Sequence, residues 1–175
     1  LMGEVIHGEY ARWVNPQMLH SVTNYEMHKS IYSAHNDHNY FELAHNVRRL
    51  EAVGRDLYTF VDNHDEDRIA SKLLNPAHLA PLYTLLFTLP GIPSIYYGSE
   101  WGAKANKSEG DPALRVSFDA PVYNDLSAFI TKLAEAKKNS EALNYGSFRS
   151  VVLTNRQCIF ARETESERVF VAINA

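Results

Sequence analysis

The chain has 175 residues, of which 45% are hydrophobic and 22% charged, and its formal net charge is −4. This composition is ordinary for a soluble globular domain, and it includes no basic block and no apolar run near the roughly 18–20 residues of a membrane span, so neither a nucleic-acid nor a membrane partner is indicated. The single Cys158 excludes an internal disulfide. A lone cysteine favours a reducing, cytoplasmic compartment, although the sequence leaves the location undetermined.

The first residues predict a strand from Leu1 to Ile6 that ends before Gly8. Because a natural N terminus seldom lies within a strand, we expect the sequence to lack the N-terminal portion of a longer protein. Glu4 and His7 are the chemically notable residues of this segment. A glutamate in a buried strand is unfavourable unless it is paired or functional, and the alternative is an edge-strand side chain that faces water.

Asn15-Pro16 predicts the start of a short helix, since asparagine caps helices and proline suits the first helical position. Residues 21–25 predict a weak strand. The following segment contains three histidines, whose spacing raises the possibility of a zinc site. It has no His-Glu-x-x-His pattern and no cysteine partner, so a solvated loop is favoured over that site. These histidines are His28, His35 and His38.

Asn39 and Glu42 form a capping-box pattern that predicts the start of a helix ending at Gly54. Its apolar stripe consists of Phe41, Leu43, Ala44, Val47 and Leu50.

A short apolar run, Tyr58 to Val61, predicts a buried strand, and four polar residues follow it directly. A buried strand with a polar carboxyl end is how α/β barrels present functional side chains. The alternative is a strand that merely runs into a polar turn. The four residues are Asp62, Asn63, His64 and Asp65.

Downstream, Asn75-Pro76 predicts a helix, residues 92–97 a buried strand and residues 102–121 a loop. Leu126, Phe129, Ile130 and Leu133 predict a last amphipathic helix. After residue 146 the periodicity changes to two, which predicts strands at 148–153, 158–161 and 169–173 with a charged turn at 163–168. The chain therefore reads as four strand–helix units and then three strands. The alternating part predicts a parallel sheet with right-handed crossovers.

Three segments resemble conserved regions of the α-amylase family of glycoside hydrolases (family 13), in the family's order. Gly3–Gly8 (GEVIHG) is similar to the region on barrel strand five, Phe60–Asp65 (FVDNHD) to the region on strand seven, and Pro90–Glu100 (PGIPSIYYGSE) to the segment on strand eight. The resemblance implies an α/β fold. Residues 1–144 would be the C-terminal half, strands 5–8, of a TIM (β/α)8 barrel, and residues 145–175 the truncated beginning of a C-terminal β-sandwich domain.

The resemblance also implies a retaining glycosidase that hydrolyses α-glucosidic bonds in starch, glycogen or maltodextrins. In it, Glu4 matches the catalytic acid/base and Asp65 the family's third carboxylate, which binds sugar hydroxyls. His64 matches the histidine that contacts the same sugar.

Three further residues are expected to bind substrate, and each has a structural alternative. His7 follows the acid/base, where the family often has a sugar contact. Arg68 would position the Asp65 loop through a bidentate contact, or else be a surface charge. Tyr97, with Glu100, would lie at the rim of the site.

The Gly-x-Arg-x-Asp pattern that carries the family's nucleophile does not occur in the sequence. The resemblance therefore implies that the chain is inactive alone. Because a half-barrel leaves open edges, it is expected to need an N-terminal half-barrel or a second copy of itself. No cofactor is evident, although a structural calcium ion is possible in the full-length protein. Glu66 departs from the family, where threonine or another small residue is common, which bears on the local sugar contacts.

Three alternatives remain open. One is a transglycosylase or isomerase of the same family, and the second is a non-catalytic carbohydrate-binding relative. The third is a metal-dependent barrel hydrolase that uses His7, His64 and Asp65.

Overall fold

The computed structural model describes residues 1–175. Four short parallel strands form its α/β part: β1 (Met2–Gly3), β2 (Ser21–Val22), β3 (Tyr58–Thr59) and β4 (Ile92–Pro93). β1 pairs with β2 and β3 with β4, and a parallel bridge joins Thr23 to Tyr58. The strands thus follow one another side by side in chain order, and the predicted parallel arrangement is confirmed.

Helices connect and follow these strands. Between β2 and β3 lie α1 (Tyr25–Asn36) and α2 (Tyr40–Arg49), and between β3 and β4 lie α3 (Ile69–Lys72) and α4 (Leu79–Thr88). After β4 come α5 (Asp111–Leu114), α6 (Asp125–Lys138) and α7 (Glu141–Tyr145). Short 3₁₀ turns occupy Tyr10–Arg12, Gly54–Asp56, Pro76–His78, Ser99–Trp101 and Lys107–Glu109.

The helix predicted from Asn15-Pro16 is absent. The Asn15 side chain instead accepts a hydrogen bond of 3.0 Å from the backbone N–H of Gln17, which makes a local turn. Only the 3₁₀ turn at Tyr10–Arg12 lies between β1 and β2. The prediction of four strand–helix units is therefore wrong for the first unit.

The predicted histidine-rich loop is also wrong, because His28 and His35 lie on α1 and are buried. Asn24 caps this helix, since its side chain accepts a 3.1 Å hydrogen bond from Met27 N–H. Met27, Ile31 and Ala34, spaced by four and three residues, form the buried stripe. That stripe was obscured by the polar residues between its members.

α2 begins as predicted, with the Asn39 side chain accepting from Glu42 N–H at 3.3 Å. It ends at Arg49 rather than at Gly54, which begins a 3₁₀ turn of its own. Most of the predicted stripe is buried, but Phe41 is 50% exposed and points away from the core. The start of the next helix at Asn75-Pro76 is confirmed, because the 3₁₀ turn there leads directly into α4.

The last part of the chain is a three-stranded antiparallel sheet of β5 (Ser147–Leu153), β6 (Gln157–Glu163) and β7 (Arg168–Asn174), in that order. The three predicted strands are confirmed. Arg162 ties this sheet to the α/β part, since its Nη1 donates to the Thr88 carbonyl at 2.7 Å.

A single cluster of 24 buried hydrophobic residues runs through both parts of the molecule. It contains Val22 of β2 and Leu86 of α4 as well as Phe160 and Val171 of the antiparallel sheet. The boundary predicted at residue 144 stays a prediction, since the core continues across it. None of the helices is both long and apolar enough to cross a membrane.

The outer strands β1 and β4 each pair with only one neighbour. The predicted buried strand at 92–97 has only two paired residues, and Ile92 is 49% exposed. At β1, Leu1, Met2 and Ile6 are exposed in the same way. Both open edges of the α/β part therefore carry uncovered apolar surface.

Candidate active site

The carboxyl ends of the four parallel strands bring the predicted site residues to one edge. Glu4 directly follows β1, Tyr25 lies just beyond β2, and Asp65 lies on the polar segment beyond β3. In barrels of parallel strands this edge is where functional side chains collect.

Glu4 is exposed, and its Oε1 accepts a hydrogen bond of 3.0 Å from the Tyr25 hydroxyl. The same hydroxyl oxygen accepts a 3.0 Å hydrogen bond from Asn63 Nδ2. Next to Glu4, Val5 exchanges two hydrogen bonds with the Thr23 hydroxyl, at 2.9 and 3.2 Å. These contacts join the ends of β1, β2 and β3 around the Glu4 carboxylate.

Asp65 is anchored on several sides. Arg115 Nη2 donates to its Oδ1 at 2.9 Å, and His64 Nε2 lies 3.3 Å from its Oδ2. Its backbone N–H donates to Asn63 Oδ1 at 2.8 Å. The Asp65 side chain remains 41% exposed and that of His64 49%, so both residues are accessible to a ligand while their orientation is fixed.

Asp62, by contrast, is 1% exposed. Its Oδ2 accepts hydrogen bonds from Ile69 N–H at 2.8 Å and from the Ser99 hydroxyl at 2.6 Å. Burial raises the pKa of its carboxyl, while these hydrogen bonds and the neighbouring Arg68 act in the opposite direction. Asp62 thus joins the start of α3 to the turn after β4, inside the protein.

The predicted contact between Arg68 and Asp65 is wrong. Arg68 is 0% exposed, so it is neither a surface charge nor able to reach a sugar. Its guanidinium donates to the carbonyls of Tyr97 and Leu114 at 2.8 and 3.1 Å and to the Ser99 hydroxyl at 3.2 Å. It also lies against the rings of Tyr96, Tyr97 and Phe118. Arg68 therefore holds the segment after β4 against the segment after β3, and Arg115 takes the expected position beside Asp65.

The other predicted substrate contacts lie at the periphery. His7 is exposed, and Tyr97 is 42% exposed with its hydroxyl donating to the Val116 carbonyl at 2.7 Å. The buried Oε2 of Glu100 has no hydrogen-bond partner. Their roles in substrate binding stay predictions.

Glu66 belongs to a small polar cluster beneath the Asp65 segment. Its Oε2 accepts from Lys72 Nζ at 2.8 Å and lies 3.5 Å from Nε2 of the buried His28. The His28 contact and the Lys72 charge hold the pKa of Glu66 down at about 2, against the opposing effect of burial. This residue, which departs from the family pattern, is thus used to attach the segment to α1 and α3.

The three histidines of the zinc alternative do not all come together. His28 faces Glu66, whereas His35 and His38 line a different pocket, and the His35 ring centroid lies 5.8 Å from that of Tyr40 and 5.4 Å from that of His78. No group of three or more His, Cys, Asp or Glu side chains in the chain is arranged to hold a metal ion.

A cavity of about 380 Å³ lies near the opposite ends of the strands, between α2 and β5. Its lining includes Asp56, just before β3, and Pro90, just before β4. It is therefore separate from the edge that carries Glu4 and Asp65.

Residues 1–155 match the family model described as the alpha-amylase catalytic domain. The chain belongs to the α-amylase family of glycoside hydrolases. This membership agrees with the resemblance of the three sequence segments.

The curated relatives have several different enzymatic activities. The chain is 33% identical over 121 residues to a cyclomaltodextrin glucanotransferase of Niallia circulans, covering 68% of this chain and 16% of that protein. It is 34% identical over 121 residues to an alpha-amylase of the same organism, covering 22% of it. It is 24% identical over 184 residues to a cyclomaltodextrinase of Thermoanaerobacter pseudethanolicus, covering 32% of it. The chain thus spans less than a third of each of these relatives.

Solved structures give the same family fold. An Anoxybacillus alpha-amylase superposes with a TM-score of 0.87 at 28% identity, over 99% of this chain and 40% of that one. The cyclic alpha-maltosyl-(1→6)-maltose hydrolase of Arthrobacter globiformis superposes with a TM-score of 0.82 at 23% identity, over 99% and 41%, and shows the fold alone. The α-amylase-family chain therefore has part of the fold of these TIM-barrel enzymes.

The family resemblance led to Glu4, His64 and Asp65 but missed two residues that hold them. Tyr25 lies at the end of the predicted weak strand at 21–25, but it is the first residue of α1 and follows β2 closely, as Asp65 follows β3. Arg115 lies 50 residues after Asp65 in a segment predicted as loop, and nothing in the local sequence indicates their contact.

Proposed function

We propose that this chain supplies the acid/base and a substrate-binding carboxylate to a retaining α-glycosidase that acts on α-glucosidic bonds in starch, glycogen or maltodextrins. The observation that carries the proposal is the hydrogen-bonded connection from Glu4 through Tyr25 and Asn63 to the Asp65 backbone. It brings two accessible carboxylates, from segments far apart in sequence, to one edge of the strands.

In the proposed reaction Glu4 protonates the leaving glycosidic oxygen and later removes a proton from the attacking water. Asp65 and His64 bind hydroxyl groups of the sugar at the reacting bond. Asp65 favours the distorted ring of the oxocarbenium-like transition state, since that ring bears positive charge. Arg115 keeps the Asp65 carboxylate oriented through Oδ1, and the exposed part of the Asp65 side chain is accessible to the sugar.

A retaining mechanism also needs a nucleophilic carboxylate roughly 5–5.5 Å from the acid/base. Family members carry it in a Gly-x-Arg-x-Asp pattern, which these 175 residues do not contain. We therefore assign residues 1–144 to strands 5–8 of the barrel and residues 145–175 to the beginning of the following β-domain. On this assignment the chain is inactive alone, and the uncovered edges at β1 and β4 are where the other half-barrel pairs. A structural calcium ion in the full-length protein stays a prediction.

A second candidate function is transfer of the glycosyl group to another sugar instead of to water. It is supported by the relatives that are cyclomaltodextrin glucanotransferases. The residues of this chain would act in the same way in both reactions, because only the acceptor differs.

The proposal is tested with a fused enzyme, in which residues 1–175 follow the N-terminal half of the catalytic domain of a family member. Maltoheptaose turnover is followed by chromatography, which separates hydrolysis from transfer products, and the first-formed anomer is identified by proton NMR. We expect the fused enzyme to release α-anomers, the chain alone to be inactive, and Glu4→Gln to abolish turnover. Glu9→Gln, an exposed glutamate nearby, is the matched control. First-formed β-anomers, or full activity of Glu4→Gln, would contradict the proposal.

A further inference from the structure

Tyr25 is the first residue of α1 and is held by aromatic packing. Its ring meets the buried Phe60 edge-on, with centroids 4.9 Å apart, and Phe60 in turn stacks on His28 at 5.2 Å. Phe60 belongs to the segment after β3, so this packing ties the start of α1 to the segment that carries Asp65. The hydroxyl of Tyr25 is thereby directed to the strand ends.

The hydrogen bonds around this hydroxyl have only one consistent direction. The backbone N–H of Asp65 can only donate, so the Asn63 oxygen must accept from it, at 2.8 Å. This orientation turns the Asn63 amide nitrogen, which can only donate, to the Tyr25 oxygen at 3.0 Å. The single hydrogen of Tyr25 then remains for Glu4 Oε1, also at 3.0 Å.

We propose that Tyr25 is a positioning residue for Glu4, and that Tyr25 and Asn63 together fix Glu4 relative to the Asp65 segment. The inference rests on the proposed function, in which Glu4 is the acid/base and Asp65 binds the sugar. Glu4 follows β1 and Asp65 lies beyond β3, while Tyr25 begins α1 just after β2, the strand between those two. A direct hydrogen bond to a charged group sets its distance and angle more strictly than packing alone, because such bonds weaken steeply when they bend.

The charged surroundings keep Tyr25 in the form that donates. The groups facing its hydroxyl are Glu4 from the end of β1 and Asp65 from beyond β3. On the same helix, the His28 ring centroid lies 6.4 Å from the centroid of the Tyr25 ring. Burial and the two carboxylates raise the pKa of Tyr25 to about 12, although the Asn63 hydrogen bond acts in the opposite direction. The phenol therefore stays protonated throughout the pH range in which glycosidases act.

The first test is an NMR measurement on the 175-residue chain labelled with ¹³C at the tyrosine ζ carbons. Tyr25→Phe assigns the Tyr25 signal. At neutral pH we expect this signal to move in Glu4→Gln, which replaces the carboxylate that accepts from the Tyr25 hydroxyl, and to keep its position in Glu9→Gln. A Tyr25 signal that does not respond to Glu4→Gln would overturn the link.

The second test measures kcat, KM and the pH profile of the fused enzyme. We expect Tyr25→Phe to lower kcat about tenfold, the effect of one hydrogen bond to a charged group, with KM changed by less than about twofold. The pH profile of kcat/KM should differ from that of the unaltered fused enzyme, because the Glu4 carboxylate has lost a hydrogen-bond donor. Tyr32→Phe, on the same helix and without a hydroxyl hydrogen bond, should match the unaltered fused enzyme.

Equal kcat values and superimposable pH profiles for Tyr25→Phe and Tyr32→Phe would overturn the positioning role. If the unaltered fused enzyme does not turn over glucan, the proposed function fails instead. The NMR comparison of Glu4→Gln with Glu9→Gln still decides whether Tyr25 holds Glu4, so the two failures are distinguishable.

Discussion

Arg68 is a charged residue whose contribution is structural. Its guanidinium is completely buried, donates to two carbonyls and a hydroxyl, and lies 4.8–5.6 Å from three aromatic ring centroids. Removing it leaves these carbonyls without donors and opens a cavity. Arg68→Ala should therefore lower the free energy of unfolding by about 3–5 kcal/mol.

Urea denaturation followed by circular dichroism measures this effect. Arg156→Ala is the matched control, since Arg156 is exposed, and it should change the free energy of unfolding by less than about 0.5 kcal/mol. Similar values for both variants would show that Arg68 does not hold the two segments together.

Glu66 should make the stability of the chain sensitive to acid. Its pKa in the folded state is about 2, below the ordinary value of 4.5, so the folded state favours the ionised form. The stabilisation is complete above the ordinary pKa and is lost as the pH falls from about 5 to 2. Over that range Glu66→Gln should flatten the decrease in the free energy of unfolding.

Glu109→Gln is a useful comparison for the acid titration, because Glu109 is exposed and interacts only with its own cap at Asn106. It should leave most of the decrease in place. An unchanged slope in Glu66→Gln would mean that the contacts with His28 and Lys72 do not favour the ionised carboxylate.

The sequence predicted those site residues that lie within short recognisable motifs. Glu4 and Asp65 stand in recognisable motifs, and their types and positions were enough to single them out. The predicted partner of Asp65 was wrong. Arg68, three residues away, points inward, because carbonyls and aromatic rings of later segments bind its guanidinium there. Such a choice between two arginines depends on tertiary contacts that no short pattern contains.

Among the elements, α1 determines how the strand ends meet. Its cap residue Asn24 is 1% exposed, accepts from Met27 N–H and has its amide 3.4 Å from the Thr59 hydroxyl on β3. Asn24→Ala loses both the cap and the link to β3. We expect a loss of about 2 kcal/mol in the free energy of unfolding, the upper end for a helix cap.

Asn75 offers a matched comparison, because it caps the turn before α4 through Ala77 N–H but is exposed. Asn75→Ala should cost about 0.5–1 kcal/mol. Thermal and urea denaturation of both variants measure the difference. An equal cost would show that the link from Asn24 to β3 contributes nothing.

The predicted helices and strands were most accurate where a single local pattern identifies the element. The Asn39 cap and the alternating residues of β5, β6 and β7 gave the right element types. The sequence did not predict helix α1, because buried histidines separate its apolar residues. One of them, His35, forms a hydrogen bond of 2.9 Å between its ring Nδ1 and the Ile31 carbonyl. A polar residue does not always face solvent, because His28 and His35 are buried on α1 and have partners inside the protein.

For the molecule as a whole, the open edges at β1 and β4 should govern its behaviour in solution. Leu1, Met2 and Ile6 are 57–80% exposed beside an unpaired strand edge. Such an edge favours association with another chain. Sedimentation velocity of the 175-residue chain should show concentration-dependent self-association, which the fused enzyme should lack.

A charge at the edge tests the cause of that association. Ile6→Lys should weaken it, whereas Phe41→Lys, an exposed apolar position on the outer face of α2, should not. A monomeric 175-residue chain at all concentrations would contradict the assignment of these edges as surfaces that need a partner.

In the proposed reaction Glu4 donates the proton to the leaving group, at the site where Asp65 binds the sugar. We would compare kcat/KM of the fused enzyme for maltoheptaose with that for α-maltotriosyl fluoride, whose leaving fluoride needs no proton. We expect Glu4→Gln to lower kcat/KM for maltoheptaose about 10³-fold and to leave kcat/KM for the fluoride nearly unchanged. Asp65→Asn should lower both. Equal losses on both substrates in Glu4→Gln would contradict the assignment of Glu4 as the acid.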